Sequence, residues 1–340
     1  MVQRANWTLE KLEDELSRPS RADRDFMQRL QGDVLILGAG GKMGPSLARL
    51  VRRAAAVAGV HHRVLAVSRF ASGDLQRQLS DWNVEAIPCD LLDRDQLARL
   101  PDCPNVLFLA GRKFGSTENQ PLTWATNALI PALVAERYCN SRIVVLSSGN
   151  VYPLGATPAT EQTPTSPVGE YAQSVLARER IFEFFSDRHA TPVTLVRLNY
   201  AVELRYGVLL DIGLRVWERR PVELGMGAVN VIWQRDASSM CLRALELASS
   251  PPRVLNVTGP VTLHVRWIAE RYGQIFGIEP VFQGTEAGTA LLSDSSLACS
   301  ILGRPEFSAE EMIAVTAAWI RDGQPTFNKP THFEVRDGQF

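Results

Sequence analysis

Lysine is scarce in this chain, and the usual cysteine and histidine patterns of metal sites are missing. The 36 basic residues include four lysines, Lys11, Lys42, Lys113 and Lys329. None of the five cysteines forms a CxxC pair, and no two of the five histidines are spaced as HxxxH. These absences argue against a zinc site and against a disulfide framework. We therefore expect no metal, and reduced thiols in a cytoplasmic protein.

Long hydrophobic runs and an excess of positive charge are also absent. The longest apolar runs, such as Val34–Leu37 and Ala54–Val60, are far too short to span a bilayer, and the N-terminus has no apolar signal core. The formal net charge of −1 provides no basic surplus for binding nucleic acid or an anionic membrane. The expected partner is a small-molecule substrate, with no nucleic-acid and no membrane partner.

Short apolar runs of strand length alternate with stretches of helical periodicity from Asp33 onward. Seven runs have this character: Val34–Leu37, Val64–Val67, Val84–Ile87, Val106–Leu109, Ile143–Leu146, Val193–Leu198 and Val254–Val257. Continuous apolarity is typical of strands that are buried on both faces, as in a parallel sheet covered by helices. The pattern predicts an α/β protein with a doubly wound parallel sheet of about seven strands.

The remaining segments suggest three parts. Residues 1–31 form an N-terminal extension in which Leu9, Leu12 and Leu16 share a helical face behind a possible Thr8 cap. Residues 32–198 plus 235–258 are predicted to form the nucleotide-binding domain. The less regular residues 199–234 plus 259–340 are predicted to form a smaller substrate-binding cap over the strand ends.

A glycine-rich loop joins the first strand to a helical stretch, Ser46–Ala58. Gly38 allows a tight turn, Gly41 lets the backbone approach a pyrophosphate, and Gly44 lets the helix pack close to the strand. The helix N-terminus offers free N–H groups and a partial positive charge to phosphates. Between a buried strand and a helix, this loop predicts a Rossmann-type dinucleotide site that includes Lys42 and Met43.

The second strand favours NADP(H) over NAD(H). NAD-specific folds usually place an acid at its end to hold the ribose hydroxyls, but this chain has Ser68 followed by Arg69. A small hydroxyl and a cation suit a 2′-phosphate, and Lys42 could add a second positive charge. Further along, Asp90 and Leu91 follow the third strand, and Leu109, Ala110 and Gly111 follow the fourth, where the two ribose rings are expected.

In these motifs the chain resembles the extended short-chain dehydrogenase/reductase family, the NAD-dependent epimerase/dehydratase group. The likeness covers about residues 33–320. Besides the glycine loop, the matching residues are Asp90, Asn127, the Ser147-Ser148-Gly149-Asn150-Val151-Tyr152 strand, Glu161 with Pro164 and Pro167, Arg235-Asp236-Ala237, and Leu302-Gly303-Arg304-Pro305. The resemblance implies that Asn127, Ser147 and Leu198 help to bind the cofactor. It also implies that Tyr171 is the acid/base and that Ser148 orients the substrate oxygen.

One departure from the family concerns the catalytic element Tyr-x-x-x-Lys. The sequence reads Tyr171-Ala172-Gln173-Ser174-Val175, so valine stands at the lysine position. A tyrosine with an ordinary pKa near 10 is a poor base at neutral pH without a nearby cation.

Three interpretations of this departure stay open. Lys113 could supply the cation, whereas Arg178 is about 10 Å along the helix from Tyr171 by helix rise, which argues against it. The enzyme could act mainly in the reductive direction, in which tyrosine serves as an acid. Chemistry could also have been lost, leaving a cofactor-binding sensor or structural subunit.

The leading functional hypothesis is an NAD(P)-dependent oxidoreductase, or an epimerase and thus an isomerase. The substrate would be a sugar-derived or polyhydroxylated carbonyl compound or alcohol. The alternative is a catalytically silent NAD(P)-binding protein. Two amphipathic helices, 122–138 and 171–186, also predict a homodimer, because the resembled family commonly pairs through them. The sequence does not identify the substrate.

Overall fold

All seven predicted strands pair in one parallel sheet in the computed structural model, which describes residues 7–71 and 73–339. These strands are β1 (Val34–Leu37), β2 (Val64–Ser68), β3 (Glu85–Pro88), β4 (Asn105–Phe108), β5 (Arg142–Ser148), β6 (Val193–Leu198) and β11 (Arg253–Val257). Their spatial order is β3-β2-β1-β4-β5-β6-β11. The predicted doubly wound α/β class is confirmed.

The strand order reverses direction beside β1. In register, Val34 lies opposite Val64 of β2 on one side and opposite Asn105 of β4 on the other. Ligands of open α/β sheets bind in the crevice at such a reversal, outside the carboxyl ends of the strands. The glycine loop after β1 and the loop after β4 therefore face the same crevice.

The expectation that every strand is buried on both faces is wrong for β3. The residues of β1 and β4 are fully buried, whereas Glu85 and Pro88 at the two ends of β3 are exposed. The reason is position, because β3 lies at the edge of the sheet and has only β2 as a neighbour.

Helices cover both faces of the sheet and build the cap. They are α1 (Leu9–Leu16), α2 (Arg21–Arg29), α3 (Gly44–Ala58), α4 (Gly73–Asp81), α5 (Arg94–Ala98), α6 (Gln120–Trp124), α7 (Ile130–Arg137), α8 (Gly169–His189), α9 (Val208–Trp217), α10 (Gln234–Arg243), α11 (Val265–Phe276), α12 (Ser296–Leu302) and α13 (Ala309–Arg321). Single 3₁₀ turns occur at Gly149–Val151 and Ala244–Leu247. Across residues 7–71 and 73–339, none of the helices combines the length and apolarity needed to cross a bilayer.

The predicted continuous helix 122–138 is interrupted in the structure. Between α6 and α7 the backbone takes one π-helical turn at Ala125–Leu129, with Asn127 buried at its centre. Pro131 lacks the N–H that would donate to the carbonyl of residue 127 in a regular α-helix. A π-helical turn absorbs the missing bond, and such turns occur frequently at functional sites.

The N-terminal extension packs onto the body of the protein. Thr8 caps α1 as predicted, accepting a hydrogen bond from the Lys11 N–H at 3.2 Å. Leu12 and Leu16 are buried, whereas Leu9, at the first residue of the helix, is 44% exposed. The sequence analysis did not predict α2, although Ser20 and Asp23 form a capping box at its start.

The cap contains short strand pairs around an apolar cluster. The pairs are β7 (Ala201–Val202) with β10 (Ile232–Trp233), β9 (Ala228–Val229) with β12 (Leu263–His264), and β8 (Val222–Glu223) with β13 (Phe282–Gln283). The cluster includes residues of α9, α11 and α13, together with Leu12 and Leu16 of α1. The extension is therefore part of this second core.

Candidate functional site

The glycine loop makes a tight connection from β1 to α3. Gly38 adopts φ +88°, and a Cβ there would lie 2.5 Å from the Ala110 backbone nitrogen. A Cβ on Gly44 would lie 2.3 Å from the Ala39 carbonyl oxygen. Both positions therefore require glycine, since real Cβ atoms do not approach backbone atoms so closely. A Cβ on Gly41 would approach its nearest neighbour only to 3.5 Å, so the backbone at Gly41 is open.

The first turn of α3 has no side-chain cap. Its N-cap residue is Met43, which makes no capping hydrogen bond, and Pro45 occupies the start of the helix. An uncapped N-terminus leaves backbone N–H groups available for a ligand, and anions bind such ends.

A cavity of about 400 Å³ opens beside this loop. Its lining combines loop residues with three basic groups and one acid: Gly40, Gly41, Lys42, Pro45, Ser46, Gln78, Arg205, Lys329, Phe327 and Glu13. Much of the Lys42 side chain is exposed, but its amine lies 2.7 Å from the centre of the Tyr206 ring. Loss of water contacts, then repulsion by Lys113 and Lys329, lowers the pKa of Lys42 to about 7.

The ends of β2 and β3 contribute small polar groups to the same edge of the sheet. A Cβ on Gly40 would lie 2.4 Å from the Ser68 hydroxyl, which places Ser68 directly against the glycine loop. Arg69 is exposed. The Asp90 carboxylate accepts a hydrogen bond from the Leu92 N–H at 3.0 Å, and Leu91 is buried.

The loop after β4 meets the π-helical turn. Leu109 donates its N–H to the Leu37 carbonyl at 2.8 Å, which ties the end of β4 to the end of β1. The Asn127 amide then holds Arg112, accepting from its N–H at 2.8 Å and donating to its carbonyl at 2.9 Å. These two hydrogen bonds fix the segment Leu109–Arg112, which includes Ala110 and Gly111, at the crevice.

A buried polar network supports the carboxyl end of β5. Ser147 donates to Glu179 of α8, and Glu179 forms a two-bond ion pair with Arg197 of β6, at 3.0 and 2.7 Å. Arg197 also donates to the Tyr152 hydroxyl at 2.8 Å. Although burial opposes it, the hydrogen bonds and charge of Glu179 raise the pKa of Arg197 above its usual range.

Ser148 ends β5 and lies opposite Leu198 of β6 in register. Its hydroxyl contacts Asn150, with 3.0 Å to the side-chain oxygen and 3.2 Å to the backbone nitrogen. Ser148 is 7% exposed, so the hydroxyl is held at the sheet edge by local bonds.

The first turns of α8 bring Tyr171 close to Lys113. The Lys113 amine lies 5.9 Å from the centre of the Tyr171 ring, and it donates to the Thr331 carbonyl at 3.3 Å. Burial lowers the pKa of Lys113 to about 8. Val175 is buried in an apolar cluster with Val151, Tyr152 and Ala159. The position that carries lysine in the resembled family thus lies in apolar surroundings here.

A segment after α13 runs across the mouth of the crevice. The N–H of Phe327 donates to the Arg205 carbonyl at 3.1 Å, and Thr331 donates to the Asp211 carboxylate from its N–H at 2.8 Å and its hydroxyl at 2.6 Å. Further on, a Cβ on Gly169 at the start of α8 would lie 2.3 Å from the Gly338 carbonyl oxygen. This segment, residues 326–338, joins the cap to the start of α8.

Sequence reasoning missed Glu179 and Arg197, which form a buried ion pair, and it discounted Arg178, which donates to Asn127. The segment 326–338 had been assigned only to the cap, without a role. A signal for Arg178 and Glu179 was present in the sequence, because both lie about two helical turns after Tyr171 on the same helix.

Comparison with known protein families identifies the family of this chain. The model of the NAD dependent epimerase/dehydratase family matches residues 34–202, about half of the chain. The chain belongs to the NAD-dependent epimerase/dehydratase family. It is an epimerase/dehydratase-like enzyme of the extended short-chain dehydrogenase/reductase type, and the family is one that uses a nicotinamide cofactor. No curated protein matches the sequence.

Solved structures share this fold at low sequence identity. MoeE5 in complex with UDP-glucose and NAD is 22% identical with a TM-score of 0.70, over 86% of this chain and 99% of that chain. The UDP-glucose 4-epimerase of Thermotoga maritima, with UDP-glucose, is 19% identical with a TM-score of 0.70 over the same shares. The UDP-glucuronic acid 4-epimerase of Bacillus cereus, with UDP-glucuronic acid and NAD, is 17% identical with a TM-score of 0.72, over 85% of this chain and 99% of that chain. At these identities the likeness shows the fold.

Proposed function

We propose that this protein binds a nicotinamide dinucleotide in the crevice beside β1 and uses it on a sugar-derived or other polyhydroxylated substrate. The observation that carries the proposal is the open backbone at Gly41 next to the uncapped start of α3. These features fit a diphosphate, because N–H groups and the helix dipole favour negative charge there. Lys42, Met43 and Gly44 would hold it, with Lys42, Arg205 and Lys329 adding positive charge around the cavity.

The bound nicotinamide would supply a site that accepts and returns hydride. The chain's own groups would handle the proton: Tyr171 exchanges it with the substrate oxygen, and Ser148 orients that oxygen. The Lys113 amine lies 5.9 Å from the centre of the Tyr171 ring, and its charge would favour the deprotonated tyrosine. The UDP-sugars in the structures of similar fold support a substrate of the nucleotide-sugar class.

The proposed cofactor preference is NADP(H) over NAD(H). Ser68 lies against Gly40 at the end of β2, and the following Arg69 is exposed, so its guanidinium is available to a 2′-phosphate. The bound NAD of the similar structures is a feature of those proteins. A binding comparison between the two cofactors decides this point.

The proposal extends to organisation. Residues 32–198 plus 235–258 would bind the cofactor, residues 199–234 plus 259–340 would bind the substrate, and residues 1–31 would support both of these parts.

A homodimer is also part of the proposal. Trp124, Leu129 and Phe184 are exposed at 37%, 46% and 57% on the helices that were predicted to pair, which supports it. The free thiols of all five cysteines agree with a reducing compartment such as the cytoplasm.

The alternative is a catalytically silent nicotinamide-binding protein, favoured by one observation. Val175 is 1% exposed among apolar side chains, so the family's lysine is replaced by a well-packed hydrophobic residue. Such a protein would bind the dinucleotide and turn nothing over.

The experiment that separates these functions combines binding with turnover. NADPH and NADH are titrated by fluorescence, and then wild type, Tyr171→Phe and the control Tyr138→Phe are assayed on UDP-sugars and a panel of carbonyl compounds. We expect Tyr171→Phe to lose turnover by about 100-fold or more with its cofactor Kd unchanged. The control removes a hydroxyl that bonds the Pro101 carbonyl, outside the crevice.

Three results would contradict parts of the proposal. No affinity for any nicotinamide dinucleotide removes it altogether. Binding without turnover that depends on Tyr171 leaves the silent alternative. Tighter binding of NADH than of NADPH removes the role of Arg69, which Arg69→Ala tests directly against Arg253→Ala, an exposed arginine at the start of β11.

A further inference from the structure

Arg178 is a buried arginine whose guanidinium lies beside the loop that follows β4. It lies seven residues after Tyr171, on the same face of α8 and two turns further along. Side chains of a helix lean toward its N-terminus, so the long arginine side chain reaches back toward the first turn. Its Nη1 donates to the Leu146 carbonyl of β5 at 2.5 Å, and its Nη2 donates to the Asn127 side-chain oxygen at 2.9 Å. The distance along the helix axis, which argued against Arg178, therefore does not describe where its guanidinium lies.

The guanidinium touches the loop that follows β4. A Cβ on Gly111 would lie 2.7 Å from Nη2 of Arg178. A Cβ on Gly38 of the glycine loop would likewise lie 2.5 Å from the backbone nitrogen of the preceding residue, Ala110. Arg178 thus lies at the point where the loops after β1 and β4 meet, which is the reversal of strand order described above.

Arg178 forms no ion pair with the residues that the structure describes, although the charge of the neighbouring Glu179 acts on it. Among the residues that the structure describes, no carboxylate lies within ion-pair distance of it, and its Nε makes no hydrogen bond. The neighbouring Glu179 is already bound to Arg197 and Ser147. Arg178 is 4% exposed, and burial lowers its pKa to about 10, so it is still charged at neutral pH. A buried cation that lacks an ion-pair partner costs free energy, which its two hydrogen bonds offset in part and a polar ligand would offset further.

We propose that Arg178 is a cofactor-binding residue, which takes over the ribose-binding role of the lysine found four residues after the tyrosine elsewhere in the family, while Lys113 keeps its proposed role beside Tyr171. From about one turn further along α8, it holds the ribose on the nicotinamide side of the dinucleotide through its guanidinium. Val175 is then free to pack against Val151 and Tyr152. This inference rests on the proposed function, because it requires that the crevice binds a nicotinamide dinucleotide.

The test compares two fragments of the cofactor. ADP lacks the second ribose and ADP-ribose contains it, so the ratio of their Kd values reports what that ribose contributes. The variants are Arg178→Met, which removes the charge, Arg178→Lys, which keeps it, and the control Arg180→Met, which removes an exposed arginine of the same helix. We expect Arg178→Met to reduce the ratio by about tenfold or more, the usual effect of losing hydrogen bonds to a charged group. Arg178→Lys should keep most of it, and Arg180→Met all of it.

A second readout is the preference for reduced over oxidised cofactor. A cation beside the nicotinamide disfavours the positively charged oxidised ring, so Arg178→Met should lower the ratio of the Kd of the oxidised cofactor to that of the reduced one by about tenfold. A merely structural arginine would change both Kd values together. Thermal unfolding checks that each variant folds, and if Arg178→Met does not, Arg178→Gln against Arg178→Lys makes the same comparison.

The outcomes separate the two proposals. If wild type binds neither ADP-ribose nor any nicotinamide dinucleotide, the proposed function fails. If wild type binds both while Arg178→Met or Arg178→Gln leaves the fragment ratio and the redox preference unchanged, the role of Arg178 is wrong and the proposed function stands.

Discussion

Removing the charge of Glu179 should destabilise the protein far more than removing that of a nearby surface glutamate. The Glu179 side chain is fully buried and its partner Arg197 is 5% exposed, and two hydrogen bonds join them. In Glu179→Gln the guanidinium keeps its bond to the Tyr152 hydroxyl but loses its counter-charge. Breaking a buried pair from one side costs about 3–5 kcal/mol, because an uncompensated charge stays buried.

The matched control is Glu183→Gln on the same helix. Glu183 pairs with Arg180 at 2.7 Å, but these side chains are 32% and 57% exposed, so the expected cost is at most about 1 kcal/mol. Urea unfolding of the cofactor-free protein, followed by tryptophan fluorescence, measures both free energies. The double variant Glu179→Leu/Arg197→Met should be less destabilised than Glu179→Gln, since no charge is then left buried. Equal losses in Glu179→Gln and Glu183→Gln would refute this account of the network.

Two further predictions concern the glycine loop. Because the pKa of Lys42 is lowered to about 7, the amine is mostly neutral at pH 8, and a bound diphosphate should raise that pKa. Cofactor binding at pH 8 should therefore take up protons, and the affinity should weaken as pH rises above 7. Calorimetry in buffers of different ionisation enthalpy measures this proton uptake. Binding heats of the wild type that do not depend on the buffer, or equal proton uptake by Lys42→Met, would contradict the prediction. Gly44→Ala places a Cβ 2.3 Å from the Ala39 carbonyl oxygen and should cost about 1–3 kcal/mol of stability as well as cofactor affinity. Gly225→Ala, where a Cβ meets nothing within 4 Å, is its control in the same urea and binding measurements, and equal effects of the two substitutions would exclude the proposed crowding.

The sheet could be predicted from the sequence because each of its strands coincides with a short apolar run. Six of the seven runs fall on strands that are largely buried, and β1 and β6 have the predicted bounds. The edge position of β3 could not be read from composition, since Val84–Ile87 resembles the other runs and only the strand order shows that one side is unpaired. The π-helical turn was also missed, because apolar periodicity continues through residues 122–138 while the consequence of Pro131 depends on its neighbours.

The candidate site was predictable where function depends on the backbone. The glycine loop and the strand ends lie at the crevice because chain direction and sheet order place them there. The contacts of long side chains were less accessible: the place of Lys113 near Tyr171 was one of several open interpretations, and Arg178 was discounted from helix rise alone. Arginine reaches so far from its own Cα that spacing along a helix does not locate its charge. The crossing of the crevice by residues 326–338 depends on tertiary contacts with Asp211 and Lys113, which no local pattern encodes.

The segment that crosses the crevice, residues 326–338, is attached to the rest of the protein mainly by its C-terminal part. Residues 325–330 are mostly exposed, whereas Thr331 and Phe333 are buried at 2% and 3%, and Arg336 donates to the Thr289 carbonyl at 2.7 Å. A peptide bond broken in the exposed stretch would divide the polypeptide without detaching the piece beyond it. Proteolytic nicking there would thus be visible in a denaturing gel but silent in a sizing column.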